Sequence, residues 1–113
     1  PAADTAVVAF HKQLDAGQFD AIYLGASPDL KNITPEVNLT RLLAAVHRKL
    51  GLFKTGKSIG WNDNHTTGGH FISVNYAATY ERGEAQENFI YRLDGGHALL
   101  AGYHVNSDAL ILN

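Results

Sequence analysis

The chain has 113 residues, of which 45% are hydrophobic and 18% charged, with a formal net charge of −2. That balance suits a single globular domain over 1–113 and argues against disorder; it offers no basic footprint for nucleic acid or an anionic membrane. No apolar run approaches the roughly 18 residues of a membrane-spanning helix, and the absence of cysteine excludes disulfides, thiol nucleophiles and thiolate metal sites.

The opening Pro1-Ala2-Ala3-Asp4 is rich in small residues, as expected just downstream of a removed signal peptide. The expectation is an exported chain, periplasmic or secreted. Asp4 suits an N-cap, and Val7, Phe10 and Leu14 recur at helical spacing until Gly17 stops the run. A short second helix carries Phe19, Ile22 and Tyr23. Ser27-Pro28 reads as a cap followed by proline at the first helical position. Thr34-Pro35-Glu36 repeats that device and opens the strongest helix, with Leu39, Leu42, Leu43, Val46 and Leu50 in one stripe. Arg48 and Lys49 suit the negative end of its dipole, and Gly51 closes it.

After Gly51 the hydrophobic period changes from 3.6 to 2. Strands are predicted at roughly 54–66, 70–81, 84–93 and 97–106. The turns are Thr67-Gly68-Gly69, Arg82-Gly83 and Asp94-Gly95-Gly96. Helices first and an antiparallel meander second make an α+β pattern. If Arg82-Gly83 is a two-residue loop, Tyr80 faces Ala85, Tyr76 faces Phe89, Val74 faces Tyr91 and Ile72 faces Leu93. A two-residue loop at Gly68-Gly69 adds Trp61 opposite Tyr76 and Ile59 opposite Ala78. All these share one apolar face. Ser73, Asn75, Thr79, Gln86, Asn88 and Arg92 occupy the other, wetter face.

The stretches "FHKQLDAGQFDAIYLGASPDLKN", "LLAAVHRKLGLFKTGKSIGW" and "GGHALLAGYHVNSDAL", in this element order, resemble the nuclear transport factor 2-like (cystatin-like) superfamily. Within it they look like small exported bacterial proteins of unknown function. The resemblance covers about residues 4–110, and its motifs are structural: the helix end "HRKLG", the strand residue Trp61 and the hairpin glycines. It implies a cone in which a curved four-stranded sheet wraps a helix, often around a pocket. Some members are isomerases, dehydratases or cyclases, whereas many only bind, dimerise or act as accessory domains. The Asp-His or Asp-Tyr set of the enzymatic branches does not map onto this chain residue by residue.

His97 and His104 are seven apart, which puts them on opposite faces of a regular strand unless a bulge intervenes. A two-residue loop at Gly95-Gly96 places His104 opposite Glu87 on the apolar face, where a Glu-His pair could move protons. A three-residue loop flips the parity, turning Leu99, Ala101, Tyr103 and Val105 inward and His104 outward; that set is the more apolar and is preferred. Glu87 and His104 are therefore the catalytic candidates, and Trp61, Tyr76, Phe89 and Tyr91 the lining of an apolar ligand pocket or simply of a core.

Asp63, His65 and His70 are the metal candidates: across the Gly-Gly turn the two imidazoles share a face, with the carboxylate one pleat further along. A polar hairpin tip accounts for the same residues with nothing bound. His47 and His11, at the margins of apolar stripes, read as packed, hydrogen-bonded residues. Arg92 with Asn75, Asn88 and Ser73 offers a polar recognition surface. Asn32-Ile33-Thr34, Asn38-Leu39-Thr40 and Asn64-His65-Thr66 match the glycosylation acceptor pattern, which matters only in an exported eukaryotic protein. No phosphate loop or nucleophile elbow is present, and no cofactor is called for.

The expected function is a non-catalytic exported binding or accessory domain. Its partner is a second copy through the outer sheet face, a small apolar ligand or another protein. The alternatives are an isomerase- or dehydratase-type enzyme using the cone pocket, and a protein inhibitor or immunity-like binder.

Overall fold

A computed structural model describes residues 2–112. Five helices and four strands follow one another as α1 (Ala2–Asp15), α2 (Phe19–Leu24), α3 (Pro28–Ile33), α4 (Glu36–Leu50), β1 (Phe53–Thr66), β2 (Gly69–Tyr80), β3 (Gly83–Asp94), β4 (His97–Asn106) and α5 (Asp108–Leu112). The class is α+β, as expected. The strands form one open sheet in the order β1-β2-β3-β4, with every neighbouring pair antiparallel. Among the described residues no helix is long and apolar enough to cross a membrane.

The helices form largely where the apolar period places them. α1 is already helical at Ala2, so Asp4 lies inside the first turn rather than at the cap. Its carboxylate still suits the positive end of the dipole there. Ser27 stands at the N-cap position of α3, with Pro28 at the first helical position, but its hydroxyl donates to Asp29 Oδ2 at 3.1 Å rather than capping the helix. In α4 the cap is Pro35 itself, one residue later than the Ser-Pro analogy implies. Gly51 ends α4 at φ 79°, a left-handed conformation that glycine adopts at least cost. α5 has no apolar period of its own and was not expected. It is held by position: Lys49 Nζ donates to the Leu110 carbonyl at 3.2 Å, and Ser107 Oγ donates to the Glu84 carbonyl at 2.6 Å.

Two of the loops sit one residue earlier than expected. The closing pairs are Thr66↔Gly69 and Tyr80↔Gly83, so the loops are Thr67-Gly68 and Glu81-Arg82. Tyr76 therefore pairs with Glu87, Val74 with Phe89 and Ile72 with Tyr91. Moving a loop by one residue changes the register by two, and a period of two leaves each side chain on its predicted face. The α4 terminus explains the second loop. Arg82 donates from its backbone N–H to the Leu50 carbonyl at 2.9 Å, and its guanidinium reaches the Arg48 and Lys49 carbonyls. The turn thereby satisfies carbonyls that the end of α4 leaves open.

The third loop is the two residues Gly95-Gly96, since Asp94 pairs with His97. Both glycines have positive φ, 57° and 84°, as a type I′ hairpin requires. Parity then changes inside β4. The register shifts between Ile90 and Tyr91, which pair with Gly102 and Leu100 and leave Ala101 unpaired. This bulge turns Leu100, Tyr103 and Val105 inward and Leu99 and His104 outward.

A second shift, at Ile59 in β1, corrects another expectation. Ile59 is the unpaired residue, 56% exposed, and does not face Ala78. The buried side chains form one cluster. Val7, Phe10 and Leu14 of α1 and Leu39, Leu43, Val46 and Leu50 of α4 meet Val74, Ala78, Phe89, Tyr91, Leu100 and Tyr103 of the sheet.

Candidate functional site

The chemistry inside the core gathers on Glu87. Its position in β3, between Ala85 and Phe89, fixes it on the inner face, opposite Tyr76 and Val105. The carboxylate is fully buried. A buried carboxylate is tolerable only when its oxygens are hydrogen-bonded, and here three donors converge on it. Its Oε1 lies 2.8 Å from His11 Nε2, while its Oε2 accepts from the Tyr80 hydroxyl at 2.7 Å and the Tyr103 hydroxyl at 2.5 Å. α1 brings in His11 because residues 7, 11 and 14 share one helical face.

The imidazole of His11 is clamped flat. Its ring stacks on Phe53 with centroids 3.8 Å apart and 12° between planes. Phe10 and Phe89 stand edge-on to it at 5.5 and 5.8 Å. Nε2 is engaged by Glu87, and Nδ1 is buried without a hydrogen-bond partner.

The surrounding phenols stay protonated. Burial, and then the negative charge of Glu87, push the Tyr80, Tyr91 and Tyr103 hydroxyls far above the ordinary tyrosine range. Tyr76 moves the same way for the same reasons. Tyr80 and Tyr103 therefore act as fixed hydrogen-bond donors rather than as acids or bases near neutrality.

Among the described residues the Glu87 carboxylate meets no solvent, although a hollow of about 410 Å³ lined by Leu30, Leu39, Leu42, Ile90 and Gly102 reaches Tyr103, which donates to it. A second hollow of about 350 Å³ is lined by Ile59, Tyr76, Glu87 and Val105 together with the outer-face residues Asn75, Gln86, Asn88 and His104. The Glu87 carboxylate points away from it into the core. A larger outer-face hollow, about 760 Å³, runs over Thr55, Lys57, Thr79, Glu84, Gln86 and Asn106.

The candidate residues named from sequence separate into four fates. Glu87 is buried as the catalytic hypothesis required, yet His104 is not its partner. His104 pairs with Asn88 and is exposed on the outer face, because the Ala101 bulge reverses the parity that a two-residue loop would give. The same bulge places His97 and His104 on one face, but near opposite ends of β4.

Of the pocket set, Phe89 and Tyr91 are buried, stacked at 6.0 Å, and fill the space they were expected to line. Tyr76 is half-buried, with its ring 5.4 Å from that of His11. Trp61 is no part of the interior: it has inner-face parity opposite Val74 but is 69% exposed. β1 there lies beyond the cover of the helices.

The metal candidates do converge. His65 pairs directly with His70 across the hairpin, with rings stacked at 3.7 Å. Asp63 Oδ1 lies 2.5 Å from His70 Nε2 and 3.6 Å from His65 Nε2. The three residues offer ligand atoms all within 4.8 Å of one another.

The polar outer surface forms only in part. Asn88 Nδ2 donates to Ser73 Oγ and Asn75 Oδ1, both at 2.9 Å. Arg92 is committed elsewhere, paired with Asp29 at 3.2 Å and lying over the Phe71 ring at 5.3 Å. His47 is packed edge-on to Phe19 at 6.0 Å, with Nδ1 buried and unpartnered.

Sequence reasoning placed Tyr80 near Glu87 on the apolar face but missed the His11–Glu87 pair and the Tyr103 hydroxyl that completes it. The available signal was the placement of His11 four residues after Val7 and three before Leu14, in the middle of the buried face. No protein-family model matches the chain, and no curated protein matches it either.

Proposed function

We propose that this chain is a non-catalytic, exported binding or accessory domain of the nuclear transport factor 2-like type, and that its contact surface is the outer face of the sheet. One observation carries the reading. The interior is filled by Phe10, Phe89, Tyr91 and Tyr103, and its acid-base pair is sealed from solvent. A catalytic acid or base must come within hydrogen-bond reach of a substrate. Glu87 and His11 reach only each other and the phenols of the core. Their arrangement instead gives the core a polar lock that specifies how α1 seats on the sheet.

The open surface lies outside. The two hollows adjoin through Gln86 and Asn106, and in their lining amides, hydroxyls and a few charges alternate with Ala77, Ile59 and Val105. Such a face suits a polar protein contact better than a small apolar ligand. The occupant this reading favours is a second copy of the chain.

The test is the molar mass of the purified chain by light scattering across a hundredfold concentration range. A dimer is expected, and Asn88→Arg, in the middle of the face, is expected to return it to a monomer that remains folded by circular dichroism. A monomer at every concentration, combined with a flat apolar compound that raises the melting temperature of the wild type but not of Glu87→Gln, would overturn the reading. That result would favour the isomerase- or dehydratase-type alternative, because a ligand binding only the folded state raises its apparent stability.

A further inference from the structure

We propose that Asp63, His65 and His70 form a binding site for one divalent first-row transition ion of the zinc class, at the tip of the β1–β2 hairpin. The proposal is independent of the function assigned to the outer face. Its basis is convergence. Three ligand atoms from three side chains lie within 4.8 Å of one another. A tetrahedral ion with ligand bonds near 2.0–2.1 Å sets its ligands about 3.3 Å apart. The two separations to Asp63, 2.5 and 3.6 Å, bracket that value. Admitting the ion requires the Asp63–His70 hydrogen bond to open and the stacked imidazoles to splay.

The sheet holds this geometry in place. His65 and His70 are one ladder pair in from the loop, and no register shift falls between Gly60 and Thr66. Asp63 and His65 therefore stand on the same face. The turn itself is pinned: Thr66 Oγ1 accepts from the Gly68 N–H at 3.1 Å and donates to the Gly69 carbonyl at 3.2 Å. The Arg92 guanidinium lies close to Gly69 but is engaged by Asp29.

The ligand set chooses the ion. Two imidazoles and one carboxylate favour zinc, nickel or copper over magnesium or calcium, which take oxygen ligands. Three protein ligands leave a further coordination position for solvent. The His65 side chain is 72% exposed and that of Asp63 is 40% exposed, so the ion has an open path. Bound there, it clamps two strands that extend past the helical cover, where a hairpin alone has little to hold it.

The test is calorimetric titration of Zn(II) into the untagged, chelator-stripped full chain, with Mg(II) as the control ion. One equivalent of zinc is expected to bind, about tenfold or more weakly in His65→Ala and in His70→Ala, with no magnesium signal. Trp61, the sole tryptophan, stands two residues from Asp63 on the same face, so Cu(II) is expected to quench its fluorescence saturably. A third readout needs no variant: zinc should shift the imidazole resonances of His65 and His70 before those of the other histidines. Zinc binding that is unchanged in a His65→Ala/His70→Ala double variant would overturn the proposal. So would imidazole shifts that begin at His97 or His104.

Discussion

His11 and Glu87 lie 76 residues apart in the chain and meet at 2.8 Å in the middle of the core. Around them the Tyr80 and Tyr103 hydroxyls complete a closed set of donors on one carboxylate. Removing the carboxylate leaves three buried polar groups without their acceptor. Glu87→Ala is therefore expected to cost about 3–5 kcal/mol, a large share of a small domain's stability. Glu87→Gln keeps the shape and one acceptor oxygen, and is expected to cost clearly less. Urea denaturation of the two variants checks the order. Equal losses would mean that the pocket responds to volume alone.

Tyr91 gives the opposite expectation. Its hydroxyl is buried without a partner, so Tyr91→Phe removes an unsatisfied group and keeps the ring stacked on Phe89. The variant is expected to be neutral or more stable by about 1 kcal/mol at neutral pH. A loss above that, in thermal or urea unfolding, would reveal a partner for the hydroxyl.

The raised phenols predict alkaline instability. Tyr80, Tyr91 and Tyr103 hold their protons in the folded state well above the ordinary value of 10.0. An unfolded chain releases them near that value. Their contribution to stability is thus complete below pH 10 and lost as pH rises beyond it. Each such group steepens the decline by about 1.4 kcal/mol per pH unit, and three together by about 4 kcal/mol per unit. Unfolding followed from about pH 10 to 12 should show a steep decline, shallower by about 1.4 kcal/mol per pH unit in Tyr91→Phe.

Two glycines predict contrasting outcomes. Gly95 has φ 57° at an open hairpin tip, where an added Cβ meets nothing. Asparagine tolerates that conformation, so Gly95→Asn is expected to hold or raise stability by up to about 1 kcal/mol. Gly56 sits beneath the Tyr76 ring, and an added Cβ would lie 2.9 Å from the Ala77 carbonyl oxygen. Gly56→Ala is expected to cost about 1–3 kcal/mol through overpacking. Melting temperatures of the two variants should move in opposite directions or differ clearly.

Trp61 tests where the interior ends. At 69% exposure, Trp61→Ala is expected to change stability by no more than about 0.5 kcal/mol. A tryptophan lining a core would cost about 3–5 kcal/mol. Acrylamide should quench its fluorescence almost as well in the folded chain as in urea.

The sequence by itself determined the α+β class, the order of the four main helices and the four strands, and which β2 and β3 residues face inward. Those features follow from hydrophobic period and turn chemistry, which act within a few residues. The inner set of Val74, Tyr76, Ala78, Phe89 and Tyr91 survived even a displaced loop, because a two-residue change of register preserves parity. The convergence of Asp63, His65 and His70 was legible for the same reason: a hairpin tip is a local structure. What only the tertiary structure decided lies at the bulges and between distant segments. An unpaired Ala101 reverses every later side chain of β4, and nothing in the local pattern marks that residue. The apolar pattern favours His104 out and Tyr103 in through a three-residue loop; the structure reaches that outcome through a two-residue loop and this bulge, and turns Leu99 out instead. The partner of Glu87 came from α1, which the chain brings across the sheet only when the whole core closes. Trp61 has the parity of a core residue, and its exposure follows from where the helices stop covering the sheet. Period sets the face of a side chain; whether anything covers that face depends on contacts far apart in the chain.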